Sequence, residues 1–226
     1  MTDAADVPAA PISWTVVIPV KGAPAAKTRL APAVADDARA MLARAFALDT
    51  IAAALAAGSV GRVIVVGDDP ALAGGAEFLA EPIEGPRGLG RAIVHGIATA
   101  QAGFDAHSRR AGIAVLLGDR PALRPDELDA ALEAAARHPL AFVRDADGLG
   151  TTLATAAPDA TVFEPQFGPD SAARHAAAGF VELAASGLTG LTRDVDTVDG
   201  LETVLHHGVG DHTAEVVAHL ADRKGT

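Results

Sequence analysis

Along the chain, short runs of β-branched and aliphatic residues alternate with longer segments in which apolar residues recur at helical spacing. Short runs bounded by glycine, proline or aspartate are typical of strands buried in a sheet. The longer segments repeat an apolar residue every three or four positions, which is typical of helices that pack on one side. The predicted strands cover residues 15–20, 63–66, 78–80, 113–117, 141–143, 151–155 and 181–183, and the predicted helices cover 36–57, 89–102, 170–178, 198–205, 213–221 and a segment that begins at Pro125.

This alternation predicts an α/β protein built around a mostly parallel sheet, because a strand, a helix and the next strand form one βαβ unit. The sequence contains no internal repeat and no break in composition, so we expect one domain over residues 12–222. The first eleven residues, MTDAADVPAAP, are acidic and rich in proline and alanine. They lack the basic and apolar regions of a signal peptide, and we expect residues 1–11 to form a disordered tail.

The composition excludes several classes of function. A formal net charge of −11 and an aromatic content of 4% argue against a nucleic-acid-binding protein, which needs a basic face and stacking platforms. The chain has no cysteine, so disulfides, thiolate nucleophiles and cysteine-ligated metals are excluded, and a cytoplasmic location is expected. No run approaches the roughly 18 consecutive apolar residues of a membrane span, so we expect no membrane partner.

Ligands of parallel sheets bind beyond the carboxyl ends of the strands, so the loops that follow strands are the candidate sites. The first of these loops, residues 21–29, reads KGAPAAKTR and contains Lys21, Lys27 and Arg29. The chain has three lysines, and two of them lie here. Dispersed positive charge and a glycine suit a polyphosphate, whose oxygens need several donors. The alternative interpretation is a solvated basic turn.

Acidic residues occupy two further segments. Asp119 follows the most apolar predicted strand, in the sequence GDRPAL. Asp194 and Asp196 alternate with Val195, so in an extended segment both carboxylates project to the same face. Carboxylates at such positions are the ligands that Mg²⁺ takes from proteins. The alternatives are an aspartate that closes a turn before a proline and a strand end that leads into a helix cap at Thr197.

A third pair of segments, residues 147–152 and 167–175, combines glycine with hydroxyl residues. The second of them lies at a predicted helix start. Backbone N–H groups in such loops bind a small carboxylate or phosphate, and we expect Arg174 and His175 to add positive charge. The alternative is a glycine turn followed by an ordinary capped helix.

Taken together, these segments resemble one enzyme family, the phosphoenolpyruvate and 2-phospho-L-lactate guanylyltransferases of deazaflavin coenzyme F-420 biosynthesis. The resemblance extends over residues 16–217, and its landmarks are IPVKGAPAAKTRLAP, GDRPAL, DGLGTT, FGPDSAARHAAAG and RDVDTVDGL. It implies a nucleotide-diphospho-sugar-transferase-like fold of the GT-A type. Such a fold is a single Rossmann-like domain in three layers, α/β/α, around a mixed and mostly parallel sheet.

The resemblance implies transfer of GMP from GTP to phosphoenolpyruvate, giving enolpyruvoyl-2-diphospho-5'-guanosine and pyrophosphate. The composition, rich in alanine and arginine, is typical of a high-GC source, in which relatives favour this acceptor. The alternative acceptors are 2-phospho-L-lactate and 3-phosphoglycerate. An alternative from a different class is a non-catalytic nucleotide-binding module on the same fold. Some relatives pair, so a homodimer is the protein partner that the resemblance implies.

The resemblance also implies roles for individual residues, with Mg²⁺ as the cofactor. No side-chain base is needed, because the attacking phosphate oxygen is already ionised at neutral pH. Two departures from the family pattern are Leu149, where relatives often carry threonine, and Gly90, where they often carry asparagine. The implied Mg²⁺ ligands are Asp119, Asp194 and Asp196. The implied contacts of the triphosphate and of the departing pyrophosphate are Lys21, Lys27 and Arg29. Gly88 and Gly90 are implied to lie near the nucleotide. The implied contacts of the acid are Thr151, Gly168 and Ser171, with Arg174 beside them.

Overall fold

Among the residues that the structure describes, seven strands form one mixed sheet at the centre of the protein. The computed structural model describes residues 12–20, 35–82, 88–104 and 111–224. The strand order is β3-β2-β1-β4-β6-β5-β7, and every neighbouring pair is parallel except the two pairs that include β6. The strands are β1 (Ser13–Pro19), β2 (Val60–Gly67), β3 (Glu77–Ala80), β4 (Ala111–Leu116), β5 (Leu140–Arg144), β6 (Thr151–Ala156) and β7 (Val181–Glu182).

The predicted helices are confirmed, and one short helix was not predicted. That helix, α5, is a single turn, too short to show a helical period, and it is held by a tertiary contact in which the Gly190 N–H donates to Oε1 of Glu127 at 3.0 Å. Among the described residues, every helix is too short or too polar to span a bilayer. The helices are α1 (Asp36–Ala56), α2 (Leu89–Ala102), α3 (Pro125–Ala135), α4 (Ser171–Ala177), α5 (Thr189–Thr192), α6 (Val198–His207) and α7 (Asp211–Lys224), with a 3₁₀ turn at Pro70–Leu72.

Helices cover both faces of the sheet, which confirms the three-layer α/β/α architecture. Successive residues of a strand point to opposite faces. Val16 and Ile18 of β1 lie in a core cluster with residues of α1 and α3, whereas Val17 lies in a second cluster with residues of α2 and α4. A third cluster, which includes Phe46 of α1 and Val204 of α6, packs α6 and α7 against the outer side of α1.

The antiparallel strand β6 brings its first residue to the edge of the sheet where β1, β4 and β5 end. Leu116 pairs with Leu153, and the N–H of Leu117 donates to the carbonyl of Thr152 at 3.1 Å. Thr151 therefore lies beside the segment that follows β4. We call this side of the sheet the carboxyl edge. The predicted tail, residues 1–11, and the basic loop, residues 21–29, lie outside the described residues.

Candidate active site

Three carboxylates meet at the carboxyl edge. Asp119, Asp194 and Asp196 each offer one oxygen, and these oxygens all lie within 4.8 Å of one another. Asp119 follows β4, and the other two lie in the extended segment between α5 and α6, where the intervening Val195 is buried. Burial of Val195 turns both neighbouring side chains to the opposite side, as the alternation in the sequence predicts. Three carboxylates at this separation fit a hard divalent cation, which prefers oxygen ligands.

A buried arginine, which the sequence analysis did not assign to the site, lies beside these carboxylates. Arg120 is 1% exposed, with Nη2 at 3.4 Å from Oδ1 of Asp119 and Nη1 at 3.8 Å from Oδ2 of Asp194. Its backbone N–H donates to Oγ1 of Thr50 at 2.9 Å. Among the described residues, its Nε and Nη1 have no hydrogen-bond partner. The only signal in the sequence was an arginine inside GDRPAL. One guanidinium against three carboxylates leaves an excess negative charge that a divalent cation matches.

On the other side of Thr151, the loop between β5 and β6 is held by its own first residue. Asp145 accepts hydrogen bonds from the N–H groups of Leu149, at 3.0 Å, and Gly150, at 2.8 Å. A Cβ at residue 150 would overlap the Asp145 carboxylate, so any other residue there would displace the carboxylate from these hydrogen bonds. The Leu149 side chain points to solvent and is 64% exposed. The N–H of Ala146 donates to the carbonyl of Thr192 at 3.0 Å, which ties this loop to the chain segment leading to Asp194.

His175 does not carry the charge that the sequence analysis expected of it, and that prediction is wrong. The side chain is fully buried, with a relative exposure of 0%. Burial lowers its pKa to about 4, a shift that the nearby Arg174 reinforces and a hydrogen bond to Ser171 opposes. The imidazole is therefore neutral at physiological pH.

The four residues predicted to bind the acid lie together, although their roles stay predictions. Thr151 and Ser171 are buried, and both contact His175. Gly168 has a φ of 120°, and Nη2 of Arg174 bridges the carbonyls of Gln166 and Phe167, each at 2.9 Å, in the turn before it. The guanidinium of Arg174 therefore already donates hydrogen bonds to two backbone carbonyl groups.

The predicted nucleotide-binding glycines open α2. Gly88 donates its N–H to Oε1 of Glu81 at 3.2 Å and accepts, through its carbonyl, the N–H of Ala92 at 3.1 Å. A Cβ at Gly90 would meet no atom of the described residues within 4 Å, so packing within that part of the chain does not explain the glycine. The predicted phosphate ligands Lys21, Lys27 and Arg29 lie outside the described residues.

The fold and the acidic centre define a class of enzyme. The family model of the MobA-like NTP transferase domain matches residues 35–184. A solved structure from Desulfovibrio desulfuricans G20, described as a nucleotide-diphospho-sugar transferase, superposes with a TM-score of 0.63 at 20% identity, covering 85% of this chain and 87% of that one. The likeness confirms the predicted nucleotide-diphospho-sugar-transferase-like fold. The protein is a nucleotidyltransferase.

Closer relatives narrow the family. The chain is 47% identical to the phosphoenolpyruvate guanylyltransferase of Thermomonospora curvata, over 93% of this chain and 91% of the relative. It is 45% identical to the enzyme of the same name from Streptomyces avermitilis, over 92% and 96%. The chain belongs to the phosphoenolpyruvate guanylyltransferase family within the MobA-like NTP transferases.

Proposed function

We propose that the protein transfers GMP from GTP to phosphoenolpyruvate, as a step in deazaflavin coenzyme F-420 biosynthesis. The observation that carries the proposal is the arrangement at the carboxyl edge. Three carboxylates converge there, and Thr151, at the start of the neighbouring strand β6, follows a loop that Asp145 holds through two hydrogen bonds and is joined to α4 through His175. The names of the relatives, at 45% and 47% identity, support the choice of nucleotide and acid.

The chemistry needs positioning more than it needs an acid or a base. A phosphate oxygen of the acid attacks the α-phosphorus of GTP, and the bond from that phosphorus to the oxygen bridging the α- and β-phosphates breaks. Pyrophosphate leaves with the bonding electrons, and the product is enolpyruvoyl-2-diphospho-5'-guanosine. The attacking oxygen is ionised at neutral pH, so in-line placement and charge neutralisation are what remain for the protein to supply.

Each group of site residues takes one part of this task. Asp119, Asp194 and Asp196 are the proposed ligands of Mg²⁺, which when bound neutralises charge developing on the phosphate oxygens. The guanidinium of Arg120 lies beside Asp119 and Asp194, with its nitrogens 3.4 and 3.8 Å from their oxygens, and offsets part of the negative charge of the group. The proposed contacts of the acid are Thr151, Gly168, Ser171 and Arg174, and those of the nucleotide are Lys21, Lys27, Arg29, Gly88 and Gly90.

Release of pyrophosphate tests the proposal directly. The purified protein is given GTP, Mg²⁺ and one acid at a time, chosen from phosphoenolpyruvate, 2-phospho-L-lactate and 3-phosphoglycerate. We expect the highest kcat/KM with phosphoenolpyruvate. Faster turnover of another acid would reassign the acceptor, and GTP binding without turnover of any acid would identify a non-catalytic nucleotide-binding module instead.

One substitution tests the acidic centre within this assay. Asp119→Asn removes one charge from the three-carboxylate group, and we expect it to lower kcat by at least about a hundredfold, because one residue's contribution to charge stabilisation is typically of that size. Asp199→Asn is the matched control, since Asp199 is exposed in the first turn of α6 and lies outside the group. Full activity of Asp119→Asn would rule out the metal assignment.

A further inference from the structure

His175 contacts three separate segments of the chain through its two ring nitrogens. Nε2 lies 2.8 Å from the backbone nitrogen of Gln166, which precedes the Gly168 turn. Nδ1 lies 2.8 Å from the carbonyl oxygen of Ser171 in the first turn of α4, and 2.9 Å from Oγ1 of Thr151 at the start of β6. These three segments carry Thr151, Gly168 and Ser171, which we propose as contacts of the acid.

The backbone groups determine which nitrogen of His175 carries the proton. The N–H of Gln166 can only donate, so Nε2 must accept and is unprotonated. The carbonyl of Ser171 can only accept, so Nδ1 must carry the hydrogen. Two independent backbone groups therefore select the same neutral tautomer. The hydrogen on Nδ1 is shared between the Ser171 carbonyl and the Thr151 hydroxyl oxygen.

This tautomer orients the hydroxyl of Thr151. Because Nδ1 is a donor, Oγ1 of Thr151 accepts from it, and the hydroxyl hydrogen must point elsewhere. Within the part of the chain that the structure describes, the Thr151 hydroxyl makes no second hydrogen bond. Its hydrogen is therefore not taken by any acceptor among the described residues.

Aromatic packing and loop contacts fix the ring in this orientation. The imidazole stacks on Phe142 of β5 with the ring centroids 5.5 Å apart, and makes T-shaped contacts with Phe167 and Phe180 at centroid distances of 5.3 and 4.9 Å. The N–H of Ala172 also donates to the carbonyl of Leu149 at 3.1 Å, so α4 is joined to the loop before Thr151 at a second point.

We propose that His175 is a positioning residue of the acid subsite. Its ring holds the Gly168 turn, the first turn of α4 and the start of β6 in fixed relation, and its Nδ1–H leaves the hydroxyl hydrogen of Thr151 for the bound acid. The identity of the ligand rests on the proposed function, but the tautomer and the contacts do not.

Two substitutions separate this role from simple packing. Asn places an amide N–H close to where Nδ1–H lies, whereas Phe keeps the aromatic volume and has no donor, and both lack the Nε2 acceptor. We expect His175→Phe to raise the KM for the acid about tenfold, the loss of one hydrogen bond to a charged group, and His175→Asn to raise it by less than about threefold. The KM for GTP should change by less than about twofold in both variants.

A larger rise in the KM for the acid in His175→Asn than in His175→Phe would overturn the proposal. If packing alone mattered, His175→Phe would perform at least as well as His175→Asn. An equal rise in the KM for both substrates would also overturn it. His219→Asn, on the exposed side of α7, is the matched control and should leave all constants unchanged.

A spectroscopic measurement on the unsubstituted protein covers the case in which a variant does not fold. With ¹⁵N-labelled histidine, long-range ¹H–¹⁵N spectra at pH 7 should show a signal from a histidine protonated at Nδ1 alone that is absent from the spectrum of His175→Asn. A Nε2–H or doubly protonated pattern would overturn the proposal. If no acid supports pyrophosphate release but the Nδ1–H signal is found, the proposed function is wrong and the assigned tautomer is correct. If turnover is normal but the Nδ1–H signal is absent, only the proposal for His175 is wrong.

Discussion

Asp49, in the middle of α1, caps α7 by accepting hydrogen bonds from the backbone of Thr213 at 2.9 Å and of its neighbour His212 at 3.0 Å. The next residue, Thr50, accepts the backbone N–H of Arg120. The N–H of Gly210, just before α7, donates to the carbonyl of Pro121 at 2.9 Å. One turn of α1 therefore fastens both the start of α7 and the segment that carries Asp119.

Removing the Asp49 carboxylate should destabilise the fold. Asp49→Ala leaves two N–H groups at the start of α7 without acceptors, one buried and one partly buried. We expect the free energy of unfolding to fall by about 2 kcal/mol, the upper range for the loss of a helix cap. Urea unfolding followed by circular dichroism measures it. The control is Asp37→Ala, which removes an exposed ion pair to Arg223 and should cost less than about 1 kcal/mol. Equal losses in the two variants would contradict the capping role.

Substitution of Arg120 should strengthen metal binding and weaken the metal-free fold. Arg120→Met removes a cation close to two of the three carboxylates, so repulsion of the metal falls while repulsion between the carboxylates rises. We expect calorimetric titration with Mn²⁺ to give at least about tenfold tighter binding, and the metal-free melting temperature to drop.

The matched control for Arg120 is Arg124→Met. Arg124 lies four residues later, is exposed and pairs with Asp126. The Arg124→Met substitution should alter neither the metal affinity nor the melting temperature appreciably, because exposed ion pairs contribute little to stability. Weaker Mn²⁺ binding in Arg120→Met would show that the guanidinium organises the carboxylates rather than competing with the metal.

His175 should make the stability of the protein depend on pH in the mildly acidic range. Burial lowers its pKa in the folded state to about 4, below the value of 6.5 expected in the unfolded chain, so the unfolded chain binds the proton first. Above about pH 7, neither state binds this proton and the free energy of unfolding is unaffected. From about pH 7 to about pH 4, proton binding by the unfolded chain lowers the free energy of unfolding progressively, by a total of roughly 3 kcal/mol.

Comparison with His175→Asn isolates this contribution, because the other titrating groups are shared. The variant starts less stable at pH 7, and its stability deficit relative to the unsubstituted protein should shrink as the pH falls to 4. Chemical denaturation at a series of pH values measures the difference. A deficit that stays constant over this range would show that His175 keeps its ordinary pKa in the folded protein.

Loss of the Asp145 carboxylate should raise the KM for the acid and leave the KM for GTP unchanged. Asp145→Ala removes the acceptor of two backbone N–H groups in the loop before Thr151, so the loop loses its fixed shape. We expect the KM for the acid to rise about fivefold, since each lost hydrogen bond is worth about 1 kcal/mol and the loop can partly compensate through water. Asp147→Ala, exposed in the same loop, is the control. A change in the KM for GTP alone would place the loop at the nucleotide instead.

Local sequence determined most of the secondary structure and the composition of the carboxyl edge. The alternation of apolar residues gave the strands and helices because burial on one face imposes a period, and Thr197 caps α6 as expected, accepting the N–H of Gly200 at 3.1 Å. The same alternation placed the side chains of Asp194 and Asp196 on the face opposite the side chain of Val195. What it did not give was α5, whose single turn depends on Glu127 from another helix.

The tertiary structure decided the electrostatic character of the site. In the sequence, His175 and Arg120 are both basic residues next to polar motifs, and nothing local shows that either will be buried. Folding buries both. The imidazole can lose its proton and becomes neutral between two backbone groups from separate segments, whereas the guanidinium cannot lose its charge and remains a cation beside two carboxylates. Burial and hydrogen-bond partners come from residues distant in sequence, so the charge at this site is a property of the fold.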